Sequence, residues 1–283
     1  MNKVEFLLNV PIDTNMEKGV FVSGDIRFHT DFSSKILKNE RTIVVYLPPE
    51  YKKNSSEAFP VLYMHDGQNI FDTNNGSSGL YWQADETVEK LVRQKKILPL
   101  IIVGIYCNEN RVDEFLPIFE KTRNKGGNAQ RYAEFVVNEV KPFIDKEYRT
   151  KPERENSGIC GSSFGGLVSL YICLKFPQVF SKCVAMSPGL WPGESWIIRE
   201  TEKHPEWLRG IKFWIDMGTE EGIDVKELSD GIDRIRELER VFLENDLQKN
   251  RDFFSLEVCG GKHNEKNWGD RFGKVLMFLY ANF

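Results

Sequence analysis

Residues 156–166 read Asn156-Ser157-Gly158-Ile159-Cys160-Gly161-Ser162-Ser163-Phe164-Gly165-Gly166, and the chain continues Leu167-Val168-Ser169-Leu170. A short apolar run, a Gly-x-Ser-x-Gly turn and a helix-forming run follow in that order. A turn between strand and helix this tight needs small residues on both sides of its central serine. It lifts the Ser163 hydroxyl above the carboxyl edge of a sheet and aims the helix N-terminus, with its partial positive charge, at the same point. The Phe164 N–H is then placed to donate to an oxyanion. Ser162 is the rival hydroxyl, but the pattern centres on Ser163. The bland alternative is a glycine-rich helix entry in which either serine merely caps.

The flanking patterns set the fold class. Residues 19–24 and 41–48 read as strands, and residues 60–64 form a short apolar run that stops at His65-Asp66-Gly67. Residues 84–97 and 128–146 carry apolar side chains on a helical period. Residues 99–106 are a β-branched run without alternation, as expected of a strand covered on both faces. Then come strand 157–161, helix 164–175, strand 180–187, strand 211–217, helix 225–247, strand 253–259 and helix 265–281. Strand–helix alternation after an antiparallel start predicts an α/β fold, a mostly parallel sheet with helices on both faces. No linker or repeat interrupts residues 1–283, so one domain is expected, with residues 1–35 adding an edge hairpin.

Composition narrows the partners. The chain has 283 residues and a formal net charge of −4, with 41% apolar and 28% charged residues. That mild acidic excess excludes nucleic-acid binding by bulk charge. The longest apolar-rich run, Leu98 to Cys107, is strand-sized, so no membrane span is expected. Only three apolar residues follow Glu5, too few for a signal-peptide core. The cysteines (Cys107, Cys160, Cys173, Cys183 and Cys259) are odd in number and lack a CxxC pair. They read as small buried hydrophobes in a reducing cytoplasm. Scattered histidines without a Cys/His cluster predict neither a metal site nor a cofactor.

A serine nucleophile needs a base, and histidine is tuned for that near neutral pH. The histidines are His29, His65, His204 and His263, and in strand–elbow–helix hydrolases the order is serine, acid, histidine. His204 and His263 alone follow Ser163. His204 sits in a charged segment that reads as surface. His263 follows a strand and Gly260-Gly261-Lys262, where a base topping a sheet belongs. The orienting acid should follow the preceding strand, 211–217. Glu220, Glu221 and Asp224 lie there, and Asp216 lies inside the strand end; Glu221 is favoured.

Gly-Ser-Ser-Phe-Gly-Gly at 161–166, His-Asp-Gly-Gln-Asn-Ile-Phe-Asp at 65–72, Tyr-Leu-Pro-Pro-Glu-Tyr at 46–51 and Gly-Lys-His-Asn-Glu at 261–265 resemble the putative esterase family of α/β-hydrolases. The likeness covers about residues 30–283 and implies the α/β-hydrolase fold. By position, Ser163 resembles the nucleophile, His263 the base and Glu221 the acid. Phe164 and the His65–Asn69 turn resemble the oxyanion walls, with the N–H of Gly67 or Gln68 completing the hole. The likeness also implies that segments 110–115 and 187–191 line the cleft. Arg111, Glu114 and Trp191 are their candidate contacts, and Trp82 and Trp268 are further candidate walls. The competing reading pairs Arg111 with Glu114 as an ion pair and buries the tryptophans in the core.

The implied activity is serine ester hydrolysis through an acyl-enzyme. The implied substrate is a small molecule: an acylated sugar, an aromatic-acid ester or a siderophore-type ester. Two rivals remain. Acyl transfer to an alcohol would use the same site, and a carbohydrate-associated binding protein would carry the fold without its chemistry.

Overall fold

A computed structural model of the chain describes residues 24–53, 55–71, 80–121, 123–222 and 225–281, with the backbone alone for 225–229. Its centre is an eight-stranded sheet in the order β1-β2-β4-β3-β7-β8-β9-β10. The strands are β1 (Asp25–Ser34), β2 (Asn39–Leu47), β3 (Val61–His65), β4 (Ile101–Ile105), β7 (Ser157–Ser162), β8 (Lys182–Met186), β9 (Lys212–Gly218) and β10 (Phe253–Val258). A separate two-stranded hairpin, β5 (Phe119–Glu120) with β6 (Lys125–Gly126), stands outside the sheet. β1–β2 and β2–β4 are antiparallel, and every other neighbouring pair in the main sheet is parallel. This is the α/β-hydrolase arrangement.

Period-two geometry divides the strand side chains between two cores. One core joins Val45, Tyr63, Val103, Ile159, Ala185 and Ile215 to the helices α4 (Ala129–Phe135), α6 (Phe164–Lys175), α7 (Pro192–Lys203) and α8 (Val225–Glu244). The other joins Val44, Leu62, Ile102, Cys160, Val184 and Trp214 to α2 (Ala84–Arg93) and α9 (Glu265–Tyr280). The run at 99–106 therefore lacks alternation because both of its faces are covered. α6 is buried nearly all round, which is why its sequence is apolar on every face.

Several boundaries differ from the sequence reading. The helix expected over 84–97 ends at Arg93, and the one over 128–146 holds a π-helical turn at Val136–Val140 between α4 and α5 (Lys141–Glu147). The strand expected at 19–24 lies outside the described residues except for Gly24. The edge strand seen to pair with β2 is β1, DIRFHTDFSS, in which Ile26, Phe28 and Phe32 alternate with polar residues up to a register shift between His29 and Phe32. Its place depends on β2, which offers it a ladder.

Candidate active site

Ser163 stands between β7 and α6 with φ 57 and ψ −127. A side-chain-bearing residue enters that region only at a cost of about 1–3 kcal/mol, so the surroundings must hold it there. Its N–H donates to Met186 O of β8 at 3.0 Å, and its carbonyl accepts from Gly166, Leu167 and Gly189 at 3.0, 3.2 and 3.1 Å. Gly161 has to be glycine, because a Cβ there would lie 2.4 Å from the Gly165 carbonyl carbon. Ser162 is buried at 6% exposure, whereas Ser163 is more open. The elbow thus presents the second serine.

The histidine and the acid arrive on adjacent loops. β9 ends at Gly218 and β10 at Val258, and their loops are stitched together by Thr219 N–H to Val258 O and Glu220 N–H to Gly261 O, both 2.9 Å. Within this seam His263 Nδ1 lies 3.0 Å from Glu221 Oε2. The imidazole is 36% exposed and the carboxylate 5%, so the ring is reachable and its partner shielded. The Trp268 ring meets the imidazole edge-on at 4.9 Å. Glu221 folds back so that Oε1 accepts the Gly218 N–H at 2.7 Å. Glu220 is exposed, and Asp224 lies outside the described residues. Asp216 is not available as the orienting acid, because it is fully buried and pairs with Arg271.

The turn after β3 approaches the elbow from the other side. Asp66 takes a left-handed φ of 55 and is followed by a 3₁₀ turn at Gly67–Asn69. A Cβ on Gly67 would lie 2.6 Å from the Gly104 carbonyl carbon of β4, so only glycine lets the turn settle there. A Cβ on Gly165 would lie 3.4 Å from Asp66 Oδ2, which places the turn against the start of α6. Gln68 commits its side-chain amide to Cys107, with Nε2 2.9 Å from Sγ and Oε1 accepting the Cys107 N–H at 3.2 Å. What it can offer the cleft is therefore its backbone N–H.

The expected wall residues divide. Trp191 is 41% exposed, stands 5.4 Å from the Phe164 ring, and lines a cleft of about 430 Å³ with Arg123, Met217, Arg234, Glu221 and His263. Trp82 does not line the cleft: it is buried against Trp268 and Phe272, because the chain after β3 folds it under α9. Trp268 is also buried, and it supports His263 from below. Arg111 and Glu114 do not pair with each other. Arg111 grips both oxygens of Asp66, at 2.6 and 2.7 Å. Burial alone would raise the Asp66 carboxyl, but the guanidinium outweighs it and holds the group below the usual range. Glu114 is buried with Arg41, at 2.8 and 3.0 Å, and so belongs to the core instead of the cleft.

A larger cavity, about 690 Å³, lies around Leu208, Lys212 and Asp252 at the amino ends of β9 and β10. It holds none of these residues, and ligands in such sheets bind beyond the carboxyl ends of the strands. Among the described residues no group of three or more His, Cys, Asp or Glu is placed to hold a metal ion, and no helix is long and apolar enough to cross a membrane.

Residues 34–279 match the model of the family described as Putative esterase. An uncharacterized protein of Bacillus subtilis, YbbA, is 26% identical over 248 residues, 85% of this chain and 93% of its own length. The ferri-bacillibactin esterase BesA of the same organism is 24% identical over 182 residues, 58% of this chain and 60% of its own. Among solved structures, a ferulic acid esterase superposes with a TM-score of 0.70 at 20% identity, covering 91% of this chain and 98% of its own.

Proposed function

We propose a triad mechanism for this chain on the premise that it belongs to the putative esterase family and is a carboxylic ester hydrolase. In our reading Ser163 is the nucleophile, His263 the general base and Glu221 the orienting acid. The N–H groups of Phe164 and of Gly67 or Gln68 form the oxyanion hole. The observation that carries the reading is the 3.0 Å His263–Glu221 hydrogen bond at the same sheet edge as the strained Ser163. Glu221 fixes the tautomer with the proton on Nδ1, which leaves Nε2 to accept from the serine.

The cycle follows. Ser163 Oγ attacks the ester carbonyl carbon while its proton passes to His263 Nε2. The carbonyl oxygen becomes an oxyanion between the backbone donors, each contributing a few kcal/mol of transition-state stabilisation. The imidazolium returns the proton to the departing alkoxide, and the acyl group stays on Ser163. Water, deprotonated by the same histidine, then releases the acid and restores the hydroxyl.

The substrate class in this reading is a small-molecule ester: an acylated sugar, an aromatic-acid ester or a siderophore-type ester. The named activities of the ferulic acid esterase and of BesA support the last two. The exposed Trp191 offers a ring for an aromatic group to stack on. The free cysteines fit a reducing cytoplasm.

The test is Ser163→Ala. It should abolish hydrolysis of p-nitrophenyl acetate and labelling by a fluorophosphonate probe, with an unchanged circular dichroism spectrum. Unchanged turnover or labelling in the variant would remove Ser163 from the mechanism. A screen of acetyl, feruloyl and catechol-type esters then ranks the substrates.

A further inference from the structure

Beneath the acid lies a closed polar cluster that the mechanism above does not use. Asp216 is fully buried inside β9, and Arg271 of α9 grips it side-on, with Nε 3.0 Å from Oδ2 and Nη2 2.8 Å from Oδ1. Trp214 Nε1 donates to Oδ2 at 2.7 Å, and the Ser187 N–H donates to Oδ1 at 3.1 Å and to the Asp216 carbonyl at 2.9 Å. Those last bonds hold Ser187 at a left-handed φ of 44.

The Ser187 hydroxyl is fully buried and has no freedom of direction. Trp268 Nε1 approaches its oxygen at 2.9 Å and Arg271 Nη2 at 2.7 Å. Both groups are donors only, so they occupy the lone pairs of Oγ. Its single proton must go to the remaining neighbour, Glu221 Oε1, at 2.6 Å. Arg271 Nη2 itself stands 3.5 Å from that same carboxylate oxygen. Glu221 Oε1 is thereby saturated, and Oε2 alone is left for His263.

We propose that Ser187, Arg271 and Asp216 are positioning residues that act on His263 through Glu221. Asp216 anchors Arg271, Arg271 and Trp268 orient the Ser187 hydroxyl, and Ser187 pins one oxygen of the acid so that the other meets Nδ1. A buried ion pair adds little stability over apolar packing of the same shape. Fixing the direction of one proton is a task that apolar packing cannot do. The inference rests on Glu221 as the acid.

The test is a double-mutant cycle on the full chain, with p-nitrophenyl acetate as substrate and each variant assayed well below its melting temperature. Ser187→Ala should lower kcat about 10- to 100-fold, the range for losing a hydrogen bond to a charged group, with KM unchanged. In a Glu221→Gln background the same change should cost nothing further, because the acid it serves is gone. Arg271→Lys keeps the charge beside Asp216, but its one nitrogen cannot hold both Asp216 oxygens and Ser187 Oγ, so it should show the same dependence on Glu221. Where Ser187→Ala does not fold, Ser187→Gly removes the hydroxyl while easing the positive φ. Equal losses in both backgrounds, a rise in KM alone, or no loss would overturn the relay. Full activity of Glu221→Gln by itself would instead remove Glu221 as the acid.

Discussion

Glu221→Gln tests the proposed triad at its most specific point. Glutamine has nearly the shape of glutamate, so packing is preserved and only the donor–acceptor pattern changes. Oε1 receives donors from Gly218 N–H at 2.7 Å and Ser187 Oγ at 2.6 Å, whereas Oε2 faces His263 Nδ1 at 3.0 Å. The amide oxygen must take the side with the donors, since an NH₂ group there would meet an N–H head-on. The NH₂ then points at Nδ1 and makes it the acceptor, which moves the imidazole proton to Nε2. That tautomer cannot accept from Ser163. A wrong-tautomer substitution in a serine triad lowers kcat about 10⁴-fold, or about 5.4 kcal/mol at 1.36 kcal/mol per decade. The assay is p-nitrophenyl acetate hydrolysis under saturating substrate, with Glu220→Gln as the control. Glu220 is exposed, and its change should leave kcat unaltered. A Glu221→Gln rate within threefold of wild type, or an equal loss in Glu220→Gln, would refute the reasoning.

Three other outcomes follow from placement and burial. Glu114→Ala strands Arg41, whose side chain is 1% exposed, and should cost about 3–5 kcal/mol in urea unfolding while the folded enzyme keeps its kcat; a change within 1 kcal/mol would contradict a buried pair. Trp191→Ala should leave stability within about 0.5 kcal/mol but raise KM about 2- to 10-fold for aromatic esters relative to acetyl esters, and an equal effect on both would count against stacking. His65 is buried against Tyr132 Oη at 2.9 Å, and burial pulls its pKa from 6.5 to about 3, the Asp66 charge opposing this only in part. The ring stays neutral in the fold while the unfolded ring takes up a proton, so its stabilising contribution is whole above about pH 6.5. It is lost as pH falls toward 3, at up to about 1.4 kcal/mol per pH unit. His65→Phe should flatten that decline between pH 6.5 and 4.5 in urea titrations; parallel curves would show that another group sets the slope.

The elbow was legible because its signals are local. An apolar strand, glycines on both sides of Ser163 and an apolar helix each follow from contacts within a few residues. The positions of His263 and Glu221 followed from the order of strands, since each stands in a loop after a strand's carboxyl end. Partners distant in sequence were not legible. Arg111 and Glu114 are three apart on one short helix and read as cleft contacts or, in the competing reading, as a pair, yet their partners Asp66 and Arg41 lie on other elements. Trp82 and Trp191 look alike as residues, and only the path of the chain decides that one is packed under α9 and the other open to the cleft. β1 does alternate, with Ile26, Phe28 and Phe32 between polar residues, but the register shift between His29 and Phe32 breaks the period, and Ile26 and Phe32 pack against different cores. Arg271 did leave a trace: it interrupts the buried stripe of Trp268, Phe272, Val275 and Leu276, as Asp216 interrupts the apolar strand Phe213-Trp214-Ile215. A charge on a core-facing stripe calls for a buried partner.

The ion pairs that bracket the site share a form. Arg111 with Asp66 braces the turn beside the elbow, and Arg271 with Asp216 braces the ground beneath Glu221; each is a side-on grip between residues 45 and 55 apart in sequence. Apolar side chains would fill the same volume at no desolvation cost, but they transmit position without direction. Arginine's planar fork fixes both distance and angle on a carboxylate. The strain at Ser163 requires the same restraint, since a residue held at φ 57 relaxes as soon as its surroundings loosen. The close approach of Gly161 to Gly165 and the hydrogen bonds of the Ser163 N–H and carbonyl supply it on the backbone, while the two arginine grips fix the turn after β3 and the strand end beneath Glu221. The polar residues that sit badly in an account of stability are, on this view, the ones that keep a strained serine and a directed carboxylate in register.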